Sequence, residues 1–102
     1  MATSGTIEIV EHTVTRPGQA ECIVRCLSGT IKIGDIVYGG TLRDGREIAL
    51  ELRVANILRY GRTCDLLDPP HNGLLHFSGV ISEEFESAVK MSLFRQNKNS
   101  HD

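Results

Sequence analysis

The side chains best suited to chemistry are three cysteines, Cys22, Cys26 and Cys64, and four histidines, His12, His71, His76 and His101. Cys22 and Cys26 fall four residues apart in the alternating run Glu21-Cys-Ile-Val-Arg-Cys-Leu27. On a strand, that spacing puts both thiols on one face about 13 Å apart, beyond the reach of a shared metal ion or a disulfide. They read as small core side chains. The histidines are scattered, and neither His71 nor His76 has a cysteine or carboxylate at a spacing that compels a zinc-ligand set, so neither a metal nor a cofactor is expected. Cys64 and His76 remain a conceivable nucleophile–base pair, because such pairs are assembled in space rather than in sequence. A small domain with this many thiols and imidazoles offers one such pair by chance, and no catalytic residue is assigned.

Arginine outnumbers lysine eight to three, and Arg43, Arg46, Arg53, Arg59 and Arg62 crowd into one twenty-residue segment, diluted by Asp44, Glu47 and Glu51. A guanidinium forks onto carboxylates or phosphates, so this segment is either a binding edge or a solvated mixed-charge face. Arg53, Arg59 and Arg62 take the polar positions and exit loop of a long alternating strand and are candidate partner-binding residues. His71 and Asn72, in a loop expected at the opposite end, are further candidates.

With 102 residues the chain has room for one core. Eleven basic residues against thirteen acidic give a net charge of −2. That balance argues against bulk electrostatic binding to nucleic acid and leaves RNA contact open only through a local patch. Met1-Ala-Thr-Ser-Gly5 has neither the basic start nor the apolar run of a secretory signal. Reduced thiols in the cytoplasm are the expectation, and no apolar run approaches the ~20 residues of a membrane-spanning helix.

Alternation and turn residues define the elements that must position these groups. Thr6–Thr15 alternates β-branched and polar residues, Arg16-Pro-Gly-Gln19 is a turn, and Glu21–Leu27 completes a hairpin. Ser28-Gly29 and Gly34-Asp35 mark two further turns before the strand Ile36-Val-Tyr38, and Tyr38–Arg46 reads as a glycine-marked connection. Glu47–Arg59 contains helix formers, but Ile48, Leu50, Leu52 and Val54 alternate with polar residues, so the period predicts a long strand. Cys64–Leu67 is a short strand, Asp68–Gly73 is irregular because of its two prolines, and Leu74–Gly79 is a strand. Ser82–Ala88 suits one helical turn capped by Ser82, Val89–Phe94 a last strand, and residues 96–102 a polar flexible tail. The expectation is an all-β fold: a small antiparallel barrel of six or seven strands, closed or partly open, spanning residues 1–95, with at most one helical turn near 82–88. Ile7, Ile9, Val24, Ile33, Val37, Leu52, Val54, Leu75 and Phe77, or their neighbours on the same pleat, would form its core.

The run Cys26-Leu-Ser-Gly-Thr-Ile-Lys-Ile-Gly-Asp-Ile-Val37 resembles a corner of the second-domain β-barrel of translational GTPases, the barrel of elongation factor Tu and its relatives. Arg16–Arg25 resembles the first hairpin of that family. Val54-Ala-Asn-Ile-Leu-Arg-Tyr60 resembles its strand ending in a polar loop, and Asp68–Gly79 its loop and apolar strand, so the likeness runs from Thr6 to Leu93. It implies a barrel that contacts partner proteins, the ribosome or the acceptor end of tRNA. The chain departs from the family in lacking a Gly-x-x-x-x-Gly-Lys-Ser/Thr phosphate loop, so GTP hydrolysis is not expected. Pro69-Pro70 and the low basic content depart from the RNA-facing versions. Two functions follow as expectations: a non-enzymatic module docking on a protein or ribonucleoprotein partner, translation-linked; or an immunity, antitoxin or regulatory protein that neutralises a partner protein by surface complementarity.

Overall fold

A computed structural model describes residues 3–95; the tail expected over 96–102 lies outside the described residues. Nine strands follow in order: β1 (Thr3–Arg16), β2 (Gln19–Gly29), β3 (Ile31–Lys32), β4 (Ile36–Leu42), β5 (Glu47–Arg59), β6 (Arg62–Thr63), β7 (Leu66–Leu67), β8 (Asn72–Val80) and β9 (Ala88–Phe94). A 3-10 helix, Glu83–Ser87, joins β8 to β9. The sheet runs β4-β9-β1-β2-β8-β5, and β5 pairs back onto β4, so six antiparallel strands close a barrel. β6 extends β5 as a short hairpin, and β3 pairs with β7 outside the barrel wall. No described helix is long and apolar enough to cross a membrane.

Period-two alternation fills the barrel. Cys22, Val24 and Cys26 from β2, Leu52 and Val54 from β5 and Leu75 and Phe77 from β8 are buried together with Ile7, Val37, Met91 and Leu93. Each large apolar side chain buried this way contributes roughly 1.5–3 kcal/mol. Ile9 is only partly buried against this core. Ile33, expected inside, is 44% exposed, and Ile31 is buried instead. Parity would put Ile33 on the inward face with Ile31, but the strand pleat ends at Lys32 and the turn carries Ile33 outward.

The Gly34-Asp35 turn is built as the sequence requires. Gly34 has φ +97°, a region that disfavours side chains bearing a Cβ. Its N–H donates to the Val54 carbonyl at 2.8 Å, and the Val54 N–H donates to the Asp35 carbonyl at 2.9 Å, stitching the corner to β5. The connection expected at Tyr38–Arg46 is shorter than its glycines suggest. β4 continues through Gly39 and Gly40 to Leu42, because both sides of the ladder, β5 and β9, hold this stretch.

At Ser82 the helical turn forms without the expected side-chain cap. The Phe85 N–H donates instead to the Ser82 carbonyl at 3.1 Å. Phe85 is fully buried, its ring edge-on to His12 at 5.1 Å and to Phe77 at 6.3 Å. The 3-10 helix therefore closes the barrel where β8 ends. The start of β8, at the other end, borders the region described next.

Candidate partner-docking surface

A one-residue bulge in β5 reassigns the faces of its last turn of chain. Val54 pairs with Phe77 and Asn56 with His76, leaving Ala55 as the extra residue. The bulge flips the alternation, so Ile57 is buried and Leu58 faces outward, where unbroken parity would bury Leu58. The Asn56 side chain accepts the Ile57 N–H at 3.0 Å, satisfying the donor that the bulge frees.

Outward, Leu58 pairs with Leu74 of β8, and Leu74 with Ile23 of β2. These three half-buried side chains form an apolar stripe across the outer wall. They floor an open depression of about 530 Å³ that is also bordered by Arg59, Tyr60, Gly61, His71 and Asn72. The strand β8 thus brings His71 and Asn72 beside Arg59, not to the opposite end. The Arg25 Nε donates to Asn72 Oδ1 at 3.4 Å on the neighbouring rung. His71 Nδ1 donates to the Asp68 carbonyl at 3.2 Å, which leaves Nε2 free to interact. Asp68 is itself fixed by the Thr30 hydroxyl at 2.9 Å.

The tip of the β5–β6 hairpin overhangs this depression. Tyr60 and Gly61, at φ +54° and +75°, are the two central residues, the signature of a type I′ turn. That turn favours Asn-Gly; a tyrosine there is strained by about 1–3 kcal/mol. Tyr60 as a whole is 93% exposed. Arg59 and Arg62 are direct cross-strand partners, a like-charge pairing that opposes folding. The Arg59 guanidinium lies 5.4 Å from the Tyr60 ring centroid, and its buried Nε has no hydrogen-bond partner among the described residues. Among the described residues no carboxylate forms an ion pair with Arg25, Arg59 or Arg62.

Arg53 is exposed but lies elsewhere. It pairs with Ile36 and Ser78, six residues or ~20 Å back along β5. Arg43 and Arg46 belong to another corner, where Arg46 meets Asp44 at 2.8 Å and Glu84 at 3.4 Å. A second depression, about 410 Å³, lies over Gly39 and Gly40. Its Glu47 and Lys90 offset one another, and its Tyr38 is tied down by the Thr3 hydroxyl at 2.8 Å and by Phe94.

The thiols are placed as structural groups. Cys64 packs at the margin of the core while His76 faces outward toward Glu21 at 3.6 Å, so they are not assembled as a nucleophile pair. Cys22 meets His12 instead, Sγ to Nδ1, at 3.4 Å. His12 Nε2 stands 3.0 Å from the Ala88 carbonyl. That oxygen can only accept, so Nε2 carries the proton and Nδ1 accepts the thiol proton. Burial first, then the charge of Glu21, pushes the Cys22 thiol up to about 12. Burial also raises Cys26, whose Sγ donates to the Gly29 carbonyl at 3.3 Å. A protonated, enclosed thiol is a poor nucleophile. Among the described residues no three His, Cys, Asp or Glu side chains converge to hold a metal ion.

Sequence reasoning missed Ile23, Leu58, Leu74 and Tyr60. The signal for Ile23 and Leu74 was present: each occupies the outward parity of its strand. No family model, curated protein or solved structure matches the chain.

Proposed function

We propose that this chain is a non-enzymatic docking module whose contact surface is the Arg59-Tyr60-Gly61-Arg62 tip and the apolar depression beneath it. One observation carries the reading: this tip combines a strained exposed tyrosine, two facing arginines and an unpartnered buried Nε. Local features that oppose folding concentrate where function requires them. Tyrosine beside arginine is the composition of a binding hot spot, and an apolar floor supplies the area such an anchor needs.

The partner is a protein or ribonucleoprotein. The resemblance of the Cys26–Val37 corner to the translational-GTPase barrel supports a translation-linked partner in the cytoplasm. The module acts by surface contact alone, which accords with the full burial of the Cys22 thiol.

Affinity capture on immobilised full chain, compared with an Arg59→Glu/Arg62→Glu variant at low and high salt, tests the reading. The variant should lose its partner, and lose association rate most at low salt, since rim charges act chiefly on encounter. Equal capture by both proteins would refute the assigned surface.

A further inference from the structure

From the chemistry of the depression we infer the class of its occupant: an acidic peptide segment of a partner protein, bearing one large apolar side chain. The inference rests on the docking surface proposed above and adds the chemistry of what fills it. The floor, Ile23, Leu58 and Leu74, is aliphatic and about the breadth of one side chain on each of three adjacent strands, spaced ~4.8 Å apart. It suits a leucine, isoleucine or phenylalanine. Arg59 borders it, with its cross-strand partner Arg62 and the Asn72-bonded Arg25 close by, and none of the three is paired to a carboxylate among the described residues. With no ion-pair partner among the described residues, the Arg59 guanidinium is available to fork onto a carboxylate.

The local charge is opposite to that of the chain as a whole, which is net −2. An acidic ligand meets complementary charge at this corner, which favours orientation as well as rate. A single-stranded nucleic acid also carries negative charge, but it is held by successive aromatic platforms and a continuous basic track. Among the described residues, Tyr60 and the His71 imidazole are the two rings bordering the depression, too few for a row of stacking platforms, and aliphatic residues occupy its floor. The surface matches alternating carboxylate and hydrocarbon better than stacked bases and phosphates.

The test uses random peptides of about twelve residues displayed on phage, panned on the full chain, on Tyr60→Asn and on Arg59→Glu. Single-stranded RNA of mixed sequence is the competing probe in a fluorescence titration. Expected is enrichment on the full chain of sequences joining Asp or Glu to one large apolar residue. A synthetic copy of the strongest should weaken about tenfold or more when its carboxylates become amides, and similarly on either variant. Amide shifts in an NMR titration should cluster at Ile23, Leu58–Gly61 and Asn72–Leu74. Enriched peptides without carboxylates, or RNA bound more tightly than the best peptide, with both still dependent on Tyr60, would overturn the acidic-peptide assignment and leave the docking surface standing. Equal binding to all three proteins, or no enrichment, would overturn both.

Discussion

Asp35 and Arg95, sixty residues apart, form an ion pair that ties the Gly34-Asp35 corner to the end of β9. Arg95 Nε donates to Asp35 Oδ1 at 3.1 Å, and the carboxylate, 1% exposed, also accepts the Lys32 N–H at 2.9 Å. Arg95 further donates to the Thr30 carbonyl at 2.7 Å. Asp35→Ala leaves the Lys32 N–H without its acceptor while the half-exposed guanidinium returns to water, and should cost about 1–3 kcal/mol in urea unfolding. Arg95→Ala leaves the buried carboxylate without its counter-charge and should cost more, about 3–5 kcal/mol. A negligible loss for Arg95→Ala would show that the Lys32 N–H and the Ser4 hydroxyl satisfy the carboxylate without the guanidinium.

Gly34→Val should destabilise by about 1–3 kcal/mol through backbone strain. A Cβ at Gly34 would meet no atom within 4 Å, so φ alone sets the cost. A neutral result by chemical denaturation would show that the turn relaxes to negative φ.

The extent of β5 was legible because alternation over Ile48–Val54 outweighs helix propensity, and it ends at Arg59 as the period predicts. The Cys22–Val24–Cys26 face was legible for the same reason. The docking surface was only half legible. Arg59, Arg62, His71 and Asn72 stand out by type, but their juxtaposition depends on the register of β5 against β8, which side-chain pattern does not encode. The Ala55 bulge compounds this, since a single extra residue turns Leu58 outward. Gly39-Gly40 was misleading: glycine reads as a break, yet ladders on both sides keep it in a strand.

Phe85→Ala should cost about 3–5 kcal/mol, because the ring fills the barrel end between His12 and Phe77. Binding at the Tyr60 end should persist wherever the variant stays folded. Loss of binding by a folded Phe85→Ala would couple the two ends.

The Cys22 thiol gives an alkaline signature. Folding raises its pKa from an ordinary value near ~8.5 to about 12. The folded state therefore holds a proton that the unfolded state gives up. Stability from this group is fully present below the unfolded value and declines as pH rises toward the folded one. Its share of the decline is about 1.4 kcal/mol per pH unit within that window. Cys22→Ala should flatten the fall in stability between these pH limits relative to wild type, with tyrosine and lysine titration common to both. Parallel curves would mean that the thiol ionises freely in the folded protein.

Tyr60→Asn separates stability from function in one variant. Asparagine is favoured in the left-handed region that Tyr60 occupies at φ +54°, so the turn should relax and thermal stability rise, by about 0.5–1 kcal/mol. The exposed ring would be gone, and the docking anchor with it. The decisive measurement is partner capture by Tyr60→Asn alongside its thermal melt: a higher Tm with partner recovery cut about tenfold or more is expected, and undiminished recovery from this stabilised variant would overturn Tyr60 as the docking anchor.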